Sequence, residues 1–190
     1  MLRHPPRWLV PLARALVAGF VVLNVALIRL RPDLSIREDP ISSYLDGDFR
    51  WLAVLSFVLL SAGGALLAVA ARACGESSRT RLSPLLVVYS LGVLLAGLTH
   101  PGSTIHSVGA LVAFAILPVA ALASTGRLRL LWFTAMVASF ATWPILHVGL
   151  GERLTVAIEL AWLISLRLSP TPERPATPGT GTQGPGTAQT

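Results

Sequence analysis

Six stretches of this 190-residue chain are each apolar enough, and nearly long enough, to cross a lipid bilayer. A spanning helix needs about 20 mainly apolar residues, within a range of about 17–25. The stretches run over residues 8–30, 51–71, 82–98, 105–123, 130–148 and 153–168. The fifth contains Pro144, and the sixth is the shortest and carries Glu159. Charged residues make up only 13% of the chain, against about 25% in an ordinary soluble domain. The expected fold is all-α: a polytopic membrane protein with one six-transmembrane-helix bundle over residues 1–168. Arg3 and Arg7 ahead of the first stretch also have the outline of a secretory signal. The stretch is long for that role and no small-x-small cleavage site follows it, so the spanning reading is preferred.

Arginine placement orients the bundle. With the N-terminus in the cytoplasm, nine arginines fall on the inner side (Arg3, Arg7, Arg72, Arg79, Arg81, Arg127, Arg129, Arg167 and Arg174). Five fall outside: Arg29, Arg31, Arg37, Arg50 and Arg153. Positive residues favour the cytoplasmic side, which predicts a multi-pass protein of the cell (plasma) membrane with both termini cytoplasmic.

The connections differ in length. His100-Pro101-Gly102 and Gly149 to Gly151 read as tight outer hairpins, and Arg31 to Arg50 as the one long outer loop. Inside that loop, Asp39-Pro40 reads as a helix start, an N-cap acid followed by Pro at the first helical position. Ile41, Tyr44 and Leu45 then share a face by three-and-four spacing, which predicts a short amphipathic helix on the outer surface. Residues 169–190 are mostly Pro, Thr, Gly, Gln, Ser and Ala, a composition that predicts a disordered cytoplasmic tail. Small residues such as Ser61, Gly63, Gly64, Gly92 and Gly109 recur inside the spans. They let helix backbones approach closely within the bundle, or between copies in a homo-oligomer. Cys74, the single cysteine, falls in a short loop on the cytoplasmic side and reads as structural.

Three of the four histidines, His100, His106 and His147, fall at outer membrane ends, near Asp39, Ser42, Tyr44, Glu152 and Arg153. Ionisable groups near hydrocarbon are costly and face a bundle interior or a cavity, so a site is expected at the outer end. Asp39, Ser42, Tyr44, His106 and Arg153 are the candidate ligand-binding residues. His100, His106, Asp39 and Glu152 are the candidates for acid–base catalysis. His100, His106 and His147 are the only metal-ligand candidates, and their spacing carries no HExxH or paired-Cys signature. Hydrogen-bonded structural histidines are the plainer reading, and no metal or cofactor is expected. Arg153 also reads more plainly as an interfacial cap of its hairpin, pairing with Asp39 or Glu152. Arg14 and Glu159 are the charges deepest in the spans, at depths that suit an ion pair between the first and sixth helices. Snorkelling of Arg14 and a proton path at Glu159 are the alternatives.

The net charge of +6 comes from arginines at span ends, with no basic cluster interleaved with aromatics. Nucleic-acid binding is therefore excluded. Membrane lipids are the expected partners, with a homo-oligomer or a membrane-protein partner as further candidates.

The run Asp39-Pro40-Ile41-Ser42-Ser43-Tyr44 stands before a span opening at Trp51. His106-Ser107-Val108-Gly109-Ala110 opens the fourth span, and Gly149-Leu150-Gly151-Glu152-Arg153-Leu154 opens the sixth. Together, over roughly residues 10 to 168, these resemble the DUF998 family of six-span membrane proteins, whose function is unknown. The family pattern has an acid before Pro at the end of the third span, where this chain has His100-Pro101. The resemblance implies fold and localisation. The expected function is an integral membrane protein that binds a lipid, small molecule or membrane partner at an outer polar pocket. A small intramembrane enzyme acting on a lipid or isoprenoid-like substrate is the alternative, and a small transporter the second.

Overall fold

The computed structural model describes residues 6–74, 77–125 and 127–168; the expected tail lies outside the described residues. The described residues are helical, with no strand among them. Seven α-helices follow in order: α1 (Leu9–Leu30), α2 (Arg50–Ala73), α3 (Ser77–Leu98), α4 (Thr104–Ala123), α5 (Arg129–Ala141), α6 (Trp143–Leu146) and α7 (Val148–Ser165). A single 3-10 turn, Ile41–Leu45, interrupts the long loop between α1 and α2.

Four of these helices are long and apolar enough to cross a membrane: α1, α2, the Arg81–Leu98 part of α3, and α4. Only 22% of the apolar window of α1 is buried inside the protein. Large apolar side chains point outward, among them Val22, Leu91 and Leu111, each at least 60% exposed. Polar side chains are turned inward instead, with Ser56, Ser90, Ser139, Thr155 and Glu159 buried. Large apolar residues outside, with hydroxyls held in an otherwise apolar interior, depart from the pattern of a water-soluble domain, and lipid is the solvent that this pattern fits.

Helices α1 to α4 pack serially, each against the next. Small residues make the close approaches. A methyl group on Gly92 would lie 2.8 Å from the Gly109 carbonyl oxygen, and one on Gly109 would lie 2.8 Å from the Ala96 nitrogen. The Ser61 hydroxyl donates to the Ser90 carbonyl at 2.8 Å, tying α2 to α3. Gly102, at φ 82°, turns the chain between α3 and α4. Past α4 the packing continues through α5 to α7, and α7 meets α1 only along a short seam.

Two elements differ from expectation. Helix α7 begins at Val148 rather than Arg153. Gly149 and Gly151, read as a hairpin, instead lie in its first turns. There they admit the Arg37 and Asp39 carbonyls and Trp143 at distances that a methyl group would not tolerate. The reversal falls at His147, whose φ of 65° and ψ of 152° separate α6 from α7. The fifth apolar stretch is correspondingly broken into α5 and α6, with Pro144 near the start of α6. Second, Asp39 does not cap the Ile41–Leu45 turn, whose N-cap is Pro40. The Asp39 carboxylate accepts from the Ser35 amide at 2.7 Å. Ile41, Tyr44 and Leu45 do share a face, and all three are buried. The segment is therefore set into the bundle, where its apolar face is covered by Leu27 and Ala53.

Candidate functional site

The loop 31–49 is tied within itself by Arg31 and to α7 by Arg153. The Arg31 guanidinium donates to Asp33 at 2.8 Å and to the Asp46 carbonyl. That hydrogen bond holds the Asp33 carboxyl below the ordinary carboxylate range. At the start of α7, Arg153 Nη1 donates to the backbone carbonyls of Ile36, Asp39 and Gly149, at 2.9, 2.6 and 3.0 Å. Its Nη2 donates to the Tyr44 hydroxyl at 3.2 Å. A planar guanidinium satisfies several acceptors at once, and Arg153 spends that capacity on the loop. The sequence candidates Asp39, Tyr44 and Arg153 are thus used in seating the loop against α7.

The three interfacial histidines do not converge. His100 lies 3.2 Å from Asp46, and His147 lies 3.0 Å from Glu38, both pairs at the surface. His106 is buried, and its Nδ1 lies 2.8 Å from the Ala96 carbonyl oxygen. A carbonyl only accepts, so Nδ1 carries the proton and Nε2 is the basic nitrogen. Among the described residues, no three His, Cys, Asp or Glu side chains gather closely enough to hold a metal ion.

What does converge is a cavity of about 50 Å³ in the half of the bundle next to the loop. Ser42, Tyr89, His106, Glu152 and Glu159 reach it, from the loop and from α3, α4 and α7. Its remaining wall is mostly apolar, including Phe20, Phe57 and Phe114. A cavity holds one water when about 10–15 Å³ is open to a water-sized sphere, so this one admits a small group or a few waters. Glu152 is anchored: its Oε2 accepts from the Ile41 amide at 2.8 Å. Glu159 is not, because its Oε1 is buried with no hydrogen-bond partner among the described residues. Two carboxyl groups, a buried imidazole and a phenol around one small space form the densest collection of chemistry in the molecule.

The depths of Arg14 and Glu159 suit an ion pair among other readings, and the structure does not pair them. Arg14 Nη2 donates to the Leu166 carbonyl at 2.9 Å. It thereby caps the C-terminal end of α7, where a cation is favoured. Glu159 lies within α7 and turns to the cavity instead. Tyr89 was not singled out from the sequence; a phenol inside an apolar span was the available signal. Trp143 donates from Nε1 to Thr155 at 3.0 Å and packs edge-on to Phe114, so it braces α6 against α7 and α4. Trp162 is buried in the main core.

A family model described as "Protein of unknown function (DUF998)" matches residues 14–169. No curated protein and no solved structure matches the chain.

Proposed function

This chain belongs to the DUF998 family, and we propose that it is a six-span integral membrane protein that binds a small molecule or lipid in its internal cavity. The four long apolar helices supply four crossings. The other two are α5 with α6, over residues 129–146, and α7. Each covers about 27 Å at about 1.5 Å per residue, close to the roughly 30 Å of hydrocarbon. The arginine distribution argues for cytoplasmic termini, in what we take to be a bacterial cell membrane. The loop 31–49 then closes the outer end of a single helical domain.

The observation that carries the binding reading is Glu159: a buried carboxyl with one oxygen unpartnered, lining a cavity that His106, Glu152 and Ser42 also line. A buried polar atom without a partner costs free energy unless something fills the space beside it. A bound polar group in the cavity would supply the missing partner.

Native mass spectrometry of the protein taken from its own membrane into nanodiscs tests this. A retained adduct is expected, and it is lost in an Ala110→Phe variant that fills the cavity. Adducts of the same identity and occupancy in both proteins would contradict it. The second reading, an intramembrane enzyme, draws on the basic Nε2 of His106 in the same cavity as two carboxyls. It requires turnover of a lipid-soluble substrate that His106→Gln abolishes while the fold is retained.

A further inference from the structure

The binding reading leaves open what kind of molecule the cavity takes, and the walls narrow it. A second, larger hollow of about 460 Å³ runs along the seam between α1 and α7. It is lined by apolar side chains such as Val21, Val25, Leu160 and Ile164. Both hollows are bounded by Phe20, Ile41 and Val156. The seam is where the helical ring is thinnest, since α1 and α7 touch only briefly. The groove therefore adjoins the inner cavity at the one place where the bundle is least closed to lipid.

Inside, the chemistry is acidic and aromatic. Glu152 and Glu159 are both buried, and four rings, Phe20, Phe57, Tyr89 and Phe114, stand around the same space. Aromatic faces attract cations, with about 2 kcal/mol or more when the contact is desolvated. Among the described residues lining the inner cavity there is no Arg or Lys to balance the two acids. Arg153, whose charge acts on Glu152, borders the outer groove and spends its hydrogen bonds on three carbonyls and the Tyr44 hydroxyl, none of them on Glu159. Carboxyls at this depth call for a proton or a cationic partner.

Resting on the binding reading above, we propose that the ligand is a lipophilic amine. Its ammonium head sits between Glu159, Glu152 and the aromatic rings. Its alkyl chain passes out along the α1–α7 groove into the surrounding lipid. The ammonium donates to the free Oε1 of Glu159 and supplies the counter-charge that this carboxyl lacks. An alcohol of equal length can donate one hydrogen bond to that oxygen but brings no charge, and a carboxylate brings neither a donor nor a counter-charge.

The test uses the full chain in zwitterionic nanodiscs, titrated with dodecylamine, dodecanol and dodecanoate, with binding followed by thermal unfolding and native mass spectrometry. Dodecylamine is expected to bind at least about tenfold more tightly than dodecanol, a difference that a single buried cation contact can supply. The preference should vanish in Glu159→Gln, an isosteric change that keeps the side-chain volume. Glu152→Gln should weaken amine binding separately, which guards against a fold defect in one variant. Equal binding of amine and alcohol would overturn the cationic assignment while leaving a ligand-binding cavity in place. Preference for dodecanoate, removed by Arg153→Gln, would overturn it in favour of an anionic headgroup at the groove. Binding of none of the three, together with no native adduct, would defeat this proposal and the binding reading alike.

Discussion

At the scale of single residues, charge placement decides between seating the loop and offering a ligand site. Arg153 makes four hydrogen bonds to loop and helix acceptors. Bonds from charged groups contribute about 1.5–3 kcal/mol each, and shared donors contribute less than additively. Arg153→Ala should therefore destabilise the protein by about 2–4 kcal/mol, read by denaturant or thermal unfolding in detergent. Arg153→Lys should rescue little of it, because one ammonium cannot replace the planar fork. Unchanged stability in Arg153→Ala would mean that the loop is held by its apolar face alone. Glu159 shows where sequence reading reaches its limit. Its position along α7 fixes a depth in the membrane, and so does that of Arg14, and equal depth invited a pairing. Depth does not say which way a side chain turns around its helix. The structure turns Arg14 to the end of α7 and Glu159 to the cavity. His106, Ser42 and Glu152 were legible because each lies at a helix end or in the loop, where topology alone brings them to one side.

At the scale of elements, glycines and turns control how the helices meet. Gly92→Val should cost about 1–3 kcal/mol, since overpacking forces backbone or rotamer shifts. The atoms in the way are the Gly109 carbonyl and the Ala113 amide nitrogen, which are backbone and cannot swing aside. Gly19→Ala meets only the Leu59 methyl tip at 3.0 Å, and should shift the unfolding midpoint far less. Equal effects of the two would deny that the α3–α4 contact is the tighter one. The start of α7 was misread because glycine is ordinarily a turn signal, whereas here its missing side chain makes room for the loop backbone. The turn residue is His147, in a conformation that is almost exclusive to glycine and costs of order 1–3 kcal/mol otherwise. Its surface pair with Glu38 returns about 0–1 kcal/mol. His147→Gly is accordingly expected to raise stability by up to about 1 kcal/mol, after the entropy cost of glycine in the unfolded chain. A clear loss of stability would show that the pair with Glu38 outweighs the strain.

At the scale of the whole molecule, an apolar exterior and a few polar side chains held inside an apolar core set the fold, and both were readable as long apolar runs interrupted by isolated polar residues. The first four helices were legible within a few residues because each run is continuous. The last two were less so: Pro144 and His147 break one run, and the charges Glu152, Arg153 and Glu159 dilute the other. Those same charges make the site, so the least membrane-like helix by composition is the one that carries the chemistry. The cavity itself has no signature in one dimension, because it depends on how six separate segments close around a space and on the thin α1–α7 seam. The central claim is that these helices cross lipid, with the loop and cavity end outward. Membrane-impermeant maleimide applied to intact cells tests it most directly, using the native Cys74 and single-cysteine variants in a Cys74→Ser background. Asp48→Cys and His147→Cys should label at once, whereas Cys74 and Arg127→Cys should label only after the membrane is opened. Labelling of Cys74 in intact cells with position 48 protected would invert the bundle, and equal labelling of all four would mean that it does not span the membrane.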